Sequence, residues 1–117
     1  MRLALALGGL NGLCAVALGA YAAHGIPMVQ AADLVRQAAA YQLVHAVLLV
    51  AIGGYGDRRP SAMMGAAAML IVLGIVLFCG ALYARGLFGM SAGPVAPVGG
   101  IALILGWAML FLAALRR

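Results

Sequence analysis

A small set of polar side chains stands inside long apolar stretches of this sequence, and their chemistry has to be explained first. Tyr41, Gln42 and His45 are three and four residues apart, so a helix would place them on one face. Phenol, amide and imidazole groups can form hydrogen bonds with one another or with a small ligand, and imidazole can also bind a metal ion. These three residues are therefore the first candidates for a functional site.

Polar residues elsewhere in the chain converge on the same level if the apolar stretches are neighbouring helices. If these helices span a membrane, a rise of 1.5 Å per residue places His45 about 12 Å below the outer face of the bilayer. Counting along the apolar stretch of residues 62–84 places Cys79 at a similar depth and Tyr83 one turn nearer the surface. His24 falls at the outer rim, and Trp107 is deep enough that its N–H needs a partner inside the bundle.

Three interpretations of this cluster remain open. The first, which the residues favour, is a hydrogen-bonded network that fixes the register of the helices. The second is a pocket for a small molecule or lipid, such as a quinone, opening to the outer leaflet. Its predicted ligand-binding residues are His24, Tyr41, Gln42, His45, Tyr83 and Trp107. The third is a haem or metal site using the two histidines. It lacks a supporting ligand motif, so we predict neither a metal nor a cofactor.

The chemistry of the sequence argues against several activities. It contains no HExxH motif, no paired aspartates and no serine with a base beside it, so it lacks the catalytic residues of a metallohydrolase or an intramembrane protease. No acidic side chain lies in the middle of an apolar stretch, and a proton-coupled exporter needs one. We therefore predict that the protein is not an enzyme and has a structural or accessory role.

Composition identifies the class of protein. Of 117 residues, 68% are hydrophobic and only 8% are charged, whereas a soluble domain has about 25% charged residues. The net charge of +5 comes from dispersed arginines rather than from a basic patch. A soluble globular enzyme, a disordered tail and a nucleic-acid-binding protein are all excluded, and an integral membrane protein is predicted.

Four apolar stretches are long enough to cross a bilayer, which needs about 20 residues per helix. They cover residues 3–23, 34–55, 62–84 and 98–115. The predicted fold is all-α, a four-helix transmembrane bundle forming a single domain over residues 1–117. Asp33 is expected to cap the second helix, and Pro60 and Pro97 stand where the third and fourth helices can begin.

The arginines predict the orientation of the bundle. One end of a four-span chain carries Arg2, Arg58, Arg59, Arg116 and Arg117, and the other end carries Arg36 and Arg85. Short loops rich in arginine stay on the cytoplasmic side, so both termini are expected inside. The lipid bilayer is the one partner that the sequence requires.

Small residues predict where the helices pack, because membrane helices associate where their backbones approach closely. The first helix carries such residues at spacings of three or four, including Gly8, Gly12 and Gly19, and we expect its closest helix approach at Gly12. Gly99 and Gly106 mark the last helix. These residues hold the four helices together or, alternatively, form an interface with a second copy or another membrane protein.

Four segments of the chain resemble the family catalogued as domain of unknown function 423, which comprises small four-helix membrane proteins. Residues 19–25 (GAYAAHG) resemble the family's GAFGAHG, and residues 41–46 (YQLVHA) resemble its YQxxHA. Residues 77–83 (LFCGALY) resemble LFSGSLY, with Cys79 at a serine position, and PVGG followed by GW at Gly106 resembles PxGG…GW. The resemblance implies a bacterial inner-membrane protein with four helices, and it supplies no activity.

Overall fold

The computed structural model describes residues 2–116, and over this range the chain is helical with short connections. The elements are α1 (Arg2–His24), α2 (Val29–Arg58), α3 (Ala62–Gly74), a π-helical turn (Ile75–Cys79), α4 (Gly80–Phe88) and α5 (Val95–Leu115). α3, the π-helical turn and α4 run on without a break as one span, Ala62–Phe88. Four helices are thus long and apolar enough to cross a membrane, which confirms the predicted all-α fold with four spans.

The second helix begins earlier than predicted, and the expected cap at Asp33 is wrong. α2 starts at Val29, directly after an N-cap at Met28 that makes no side-chain hydrogen bond. Asp33 lies inside the helix, where its Oδ1 accepts a hydrogen bond from Nη1 of Arg36 at 3.0 Å. An aspartate and an arginine three residues apart meet on one helical face, and this pairing competes with a capping role.

The third and fourth helices begin close to the predicted prolines. Ser61, immediately after Pro60, is the N-cap of α3, and its hydroxyl accepts a hydrogen bond from the N–H of Met64 at 3.4 Å. Pro97 lies in the first turn of α5, where its lack of an N–H costs no helical hydrogen bond. Both prolines therefore stand at helix starts, as the sequence indicated.

Glycine ends the third span. Gly89 follows α4 with a φ of 67°, a left-handed conformation that glycine adopts without steric cost. Its N–H donates to the carbonyl of Arg85, and the N–H of Met90 donates to the carbonyl of Ala84. This pair of hydrogen bonds satisfies carbonyls at the end of α4 and turns the chain toward α5.

The helices pack in an order that divides the third span between two partners. α1 packs mainly on α2, α3 packs on α5, and α4 packs on α2. The buried core lies between α2, the third span and α5, and its largest fully buried side chains include Leu49, Ile52 and Ile71. α1 is the most peripheral helix, since most of its side chains face outward.

The closest approach of α1 to α2 is at Gly8 rather than at Gly12. A Cβ atom added to Gly8 would lie 2.8 Å from the carbonyl oxygen of Ala46 and 2.9 Å from the backbone nitrogen of Val50. A Cβ atom at Gly12 would meet only Cβ of Ala46, at 3.8 Å, and one at Gly19 would meet Ala39 at 3.6 Å. Both are ordinary contacts, so the expectation for Gly12 was wrong by one helical turn.

The last helix approaches the third span most closely at Gly99. A Cβ atom there would collide with the backbone nitrogen of Phe78 in the π-helical turn. Gly106 also lies against the third span, because its added Cβ would lie 2.6 Å from Cδ1 of Ile71. Gly99 and Gly106, which were predicted from the sequence as packing residues, thus both lie close to the third span.

Contacts between neighbouring helices also show which ends lie together. Gly8 faces Val50 while Gly19 faces Ala39, so α1 and α2 are antiparallel. Gly99 faces Phe78 while Gly106 faces Ile71, so α5 is antiparallel to the third span. The start of α1, the connection from α2 to α3 and the end of α5 therefore share one end, which carries Arg2, Arg58, Arg59 and Arg116. We call it the arginine-rich end.

Candidate functional site

Gln42 is the centre of a hydrogen-bonded connection between three helices. Its side chain is buried in α2, where Nε2 donates to Oδ1 of Asn11 on α1 at 2.9 Å. Its Oε1 accepts a hydrogen bond from the hydroxyl of Tyr83 on α4 at 2.6 Å. Asn11 also donates from Nδ2 to the carbonyl of Leu7, one turn earlier in α1, at 2.8 Å. One amide side chain thus joins α1, α2 and α4.

His45, one turn along α2 from Gln42, connects α2 to α5. Its Nδ1 lies 2.7 Å from the carbonyl oxygen of Tyr41, and Nε1 of Trp107 donates to its Nε2 at 3.1 Å. A carbonyl oxygen only accepts and an indole N–H only donates, so these partners assign the neutral imidazole with its proton on Nδ1. Both ring nitrogens are occupied, and a metal ion could bind Nε2 only by displacing Trp107.

We refer to Asn11, Gln42, His45, Tyr83 and Trp107 as the polar network. Every buried side-chain nitrogen and oxygen atom in the described part of the chain has a hydrogen-bond partner. Because an unpaired polar group in hydrocarbon costs several kcal/mol, this pairing makes the network compatible with a membrane interior. The arrangement matches the favoured interpretation of the sequence, in which these residues fix the register of the helices.

Tyr41 lies beside the network without a side-chain hydrogen bond among the described residues. Its ring packs edge-on against Phe78, with ring centroids 4.9 Å apart, and lies parallel to the imidazole of His45 at 6.4 Å. The residue remains 44% exposed. Tyr41 therefore lies beside His45 and joins α2 to the π-helical turn through an aromatic contact.

His24 is not brought to the other predicted site residues. It is exposed at the last position of α1 and makes no hydrogen bond within the described residues. Nor do three or more histidine, cysteine or acidic side chains come together anywhere in residues 2–116 as a group that could hold a metal ion. Cys79 is buried in the π-helical turn, within the hydrophobic core.

Asn11 is the network residue that the predicted site omitted. It stands among the apolar residues of α1, and a polar side chain in that position is a signal for a buried contact. The spacing of residues within α2 does not indicate which part of α1 faces Gln42. The antiparallel pairing of α1 and α2 in fact places residues 11 and 42 side by side.

Two cavities lie away from the polar network, toward the arginine-rich end. One, about 930 Å³, is formed where α2 ends, α3 begins and α5 ends. The other is an apolar groove of about 370 Å³ between α1 and the third span, with Leu49 of α2 at its base. We call them the arginine cavity and the apolar groove. No residue of the polar network lines either cavity.

Comparison with known proteins establishes the family. Residues 18–100 match the family model described as protein of unknown function DUF423, a stretch that includes Gln42, His45 and Tyr83. The chain belongs to the DUF423 family. No solved structure matches it.

Relatives in this family are similar to the chain over almost its whole length. A UPF0382 membrane protein of Staphylococcus aureus is 34% identical, covering 99% of this chain and 98% of the relative. The UPF0382 membrane protein YwdK of Bacillus subtilis is 32% identical with the same coverage. The UPF0382 inner membrane protein YgdD of Escherichia coli is 30% identical, covering 98% of this chain and 91% of the relative. The DUF423 resemblance, the unassigned activity and the multi-pass inner-membrane location are confirmed.

Proposed function

We propose that this DUF423 protein is a non-catalytic accessory component of the inner membrane, and that the apolar groove receives a transmembrane helix of another membrane protein. The shape and lining of the groove support this proposal. Its walls include the small residues Ala4, Gly65 and Ala68, which permit the backbone of an added helix to come close. Its lining is almost entirely apolar, as a lipid-embedded helix requires.

The state of the polar network supports a non-catalytic role. A general acid or base needs a proton-transferring group directed at a substrate, and a metal ligand needs an available lone pair. Gln42 uses both ends of its amide within the bundle, and His45 uses both ring nitrogens. These groups stabilise helix contacts, which is the chemistry expected of a scaffold.

We also propose that both termini face the cytoplasm, on the strength of the arginine-rich end. Cysteines introduced singly at Ser91 and Arg116, in a chain lacking Cys14 and Cys79, will react differently with a membrane-impermeant maleimide. Ser91→Cys is expected to be labelled in intact cells, and Arg116→Cys only after lysis. Labelling of Arg116→Cys in intact cells would contradict this orientation.

Site-specific photocrosslinking tests the accessory role. A photoreactive residue replaces Met69, which lines the groove and is 75% exposed, or Ile104 on α5, which is 68% exposed and outside the groove. We expect a crosslinked protein of constant mass from position 69 in host membranes, and only lipid adducts from position 104. Lipid adducts alone at both positions would contradict the proposal. A product of twice the chain mass would identify a second copy as the occupant instead.

A matched pair of substitutions separates loss of the groove from loss of the fold. A Cβ atom added to Gly65 or to Gly54 would meet nothing within 4 Å, so the backbone at either position has room for the first atom of a larger side chain. Only Gly65 lines the groove. Gly65→Leu is expected to abolish the crosslink from position 69, and Gly54→Leu is expected to retain it.

A further inference from the structure

The arginine cavity combines positive charge with an apolar wall. It is lined by Arg59 at the end of α2, by Ser61 and the first turn of α3, and by Arg116 after the end of α5. Both arginine side chains are exposed. A volume of about 930 Å³ is large enough for a small-molecule ligand or part of a lipid.

The charge around this cavity favours an anion. Among the described residues, the arginine-rich end carries four of the six arginines and one of the two aspartates, Asp57, which leaves a side-chain charge of +3 there; Arg117 lies outside the described residues. Asp57 does not line the cavity, whereas two of the arginines do. Guanidinium groups present several N–H donors in a fixed plane and bind phosphate oxygens in pairs.

The start of α3 adds donors of the right kind. The N–H groups of Met64 and Gly65 are used by the hydroxyl and carbonyl of Ser61. The N–H groups of Ala62 and Met63, which line the cavity, have no hydrogen-bond partner among the described residues. Free amides at a helix start are suited to an anion because they carry the positive end of the helix dipole.

Most of the remaining wall is apolar and belongs to the membrane-spanning part of the bundle. It includes Met64 on α3 and Leu110, Ala113 and Ala114 on α5, and Tyr55 of α2 also lines the cavity. A free inorganic phosphate would leave this wall uncovered, whereas an acyl chain attached to a phosphate would cover it. The cavity thus presents donors for a phosphate at the membrane surface and hydrocarbon contact deeper in the bundle.

From this combination we infer that the arginine cavity binds the phosphate headgroup of an anionic phospholipid, with an acyl chain lying along α5. Arg59 and Arg116 hold the phosphate from two different helices, so the bound lipid ties the end of α2 to the end of α5. Basic pockets between transmembrane helices recognise anionic lipid headgroups by this chemistry.

Native mass spectrometry of the detergent-extracted protein, titrated with phosphatidylglycerol or phosphatidylethanolamine, tests the inference. We expect one phosphatidylglycerol per chain, bound at least tenfold more tightly than the zwitterionic lipid. The Arg59→Gln/Arg116→Gln variant is expected to lose this preference, because each guanidinium–phosphate contact contributes about tenfold in affinity. The matched control is Arg36→Gln/Arg85→Gln, which removes the same charge from the opposite end and is expected to retain the preference.

Further measurements keep the result interpretable. Both arginine pairs lie at the ends of the bundle, outside its buried core, so both variants are expected to melt at the wild-type temperature. If the double variant at the cavity fails to fold, Arg116→Gln alone, which lies beyond the last residue of α5, provides the comparison. Equal binding of the two lipids, or equal loss in both double variants, would overturn the inference. Displacement of phosphatidylglycerol by inorganic phosphate would assign the cavity to free phosphate and overturn it as well.

Discussion

Replacing Gln42 by leucine tests whether the polar network stabilises the fold. The substitution keeps a side chain of similar size in α2 and removes two interhelical hydrogen bonds, to Asn11 at 2.9 Å and from Tyr83 at 2.6 Å. Interhelical hydrogen bonds in membranes contribute about 0.6 to 1 kcal/mol each, and the substitution also leaves two polar groups without their partner. We therefore expect the free energy of unfolding to fall by about 2 kcal/mol.

A double-mutant cycle isolates the contact between Gln42 and Tyr83. Tyr83→Phe alone is expected to cost about 1 kcal/mol, and combining it with Gln42→Leu is expected to cost less than the sum, because the hydroxyl that would be left unpaired is also gone. The coupling energy should be about 0.6 to 1 kcal/mol. Reversible unfolding in mixed micelles, followed by the fluorescence of the single tryptophan, measures each step.

Gln37→Leu is the matched control for this cycle. Gln37 lies on the same helix and is exposed, so the same change of residue there removes no interhelical hydrogen bond. We expect its effect to stay within about 0.5 kcal/mol of the wild type. Equal losses from Gln37→Leu and Gln42→Leu, or strict additivity of Gln42→Leu and Tyr83→Phe, would refute the reasoning.

Four further substitutions test contacts described above. Gly99→Ala is expected to lower the free energy of unfolding by more than about 2 kcal/mol, because the added Cβ would meet backbone atoms. Gly12→Ala, whose Cβ would make an ordinary contact at 3.8 Å, should change it by less than about 0.5 kcal/mol. Equal melting temperatures of the two variants would contradict this. Trp107→Phe keeps an aromatic ring and removes the donor to His45, so we expect a loss of about 1 kcal/mol, and unfolding at the wild-type denaturant concentration would argue against that bond. His24→Ala should leave stability within about 0.5 kcal/mol of wild type, because His24 is exposed at the end of α1; a larger drop in the melting temperature would reveal an overlooked contact.

The number and type of the spans were predictable from the sequence. Each span needs enough consecutive apolar residues to cross the bilayer, and its backbone hydrogen bonds must be satisfied within the helix. The ends of the helices were less predictable. Hydropathy locates the apolar part of α2, but the helix begins before it, at Val29, and includes polar residues such as Asp33. Asp33 has the residue type of a cap, but it lies inside the helix and pairs with Arg36 three residues later.

The candidate site was predictable in its composition and less so in its geometry. Gln42, His45, Tyr83 and Trp107 do come together, because polar groups in hydrocarbon must find one another. Asn11 joins them because α1 packs beside α2, and residue types alone do not indicate which helices pack together. The same reason leaves His24 apart, at the exposed end of a peripheral helix.

The π-helical turn sets the angle between the two packing faces of the third span. An α-helix advances by about 100° per residue, so one extra residue accommodated in such a turn rotates everything beyond it by that angle. α3 can then face α5 while α4 faces α2, although both belong to one span. Winding the same residues as a regular α-helix would turn Tyr83 away from Gln42, whereas deleting one residue from Ile75–Cys79 together with the π-helical turn would leave Tyr83 facing Gln42. The rotation of α4 relative to α3, as much as the identity of their side chains, therefore allows one span to pack against both α5 and α2.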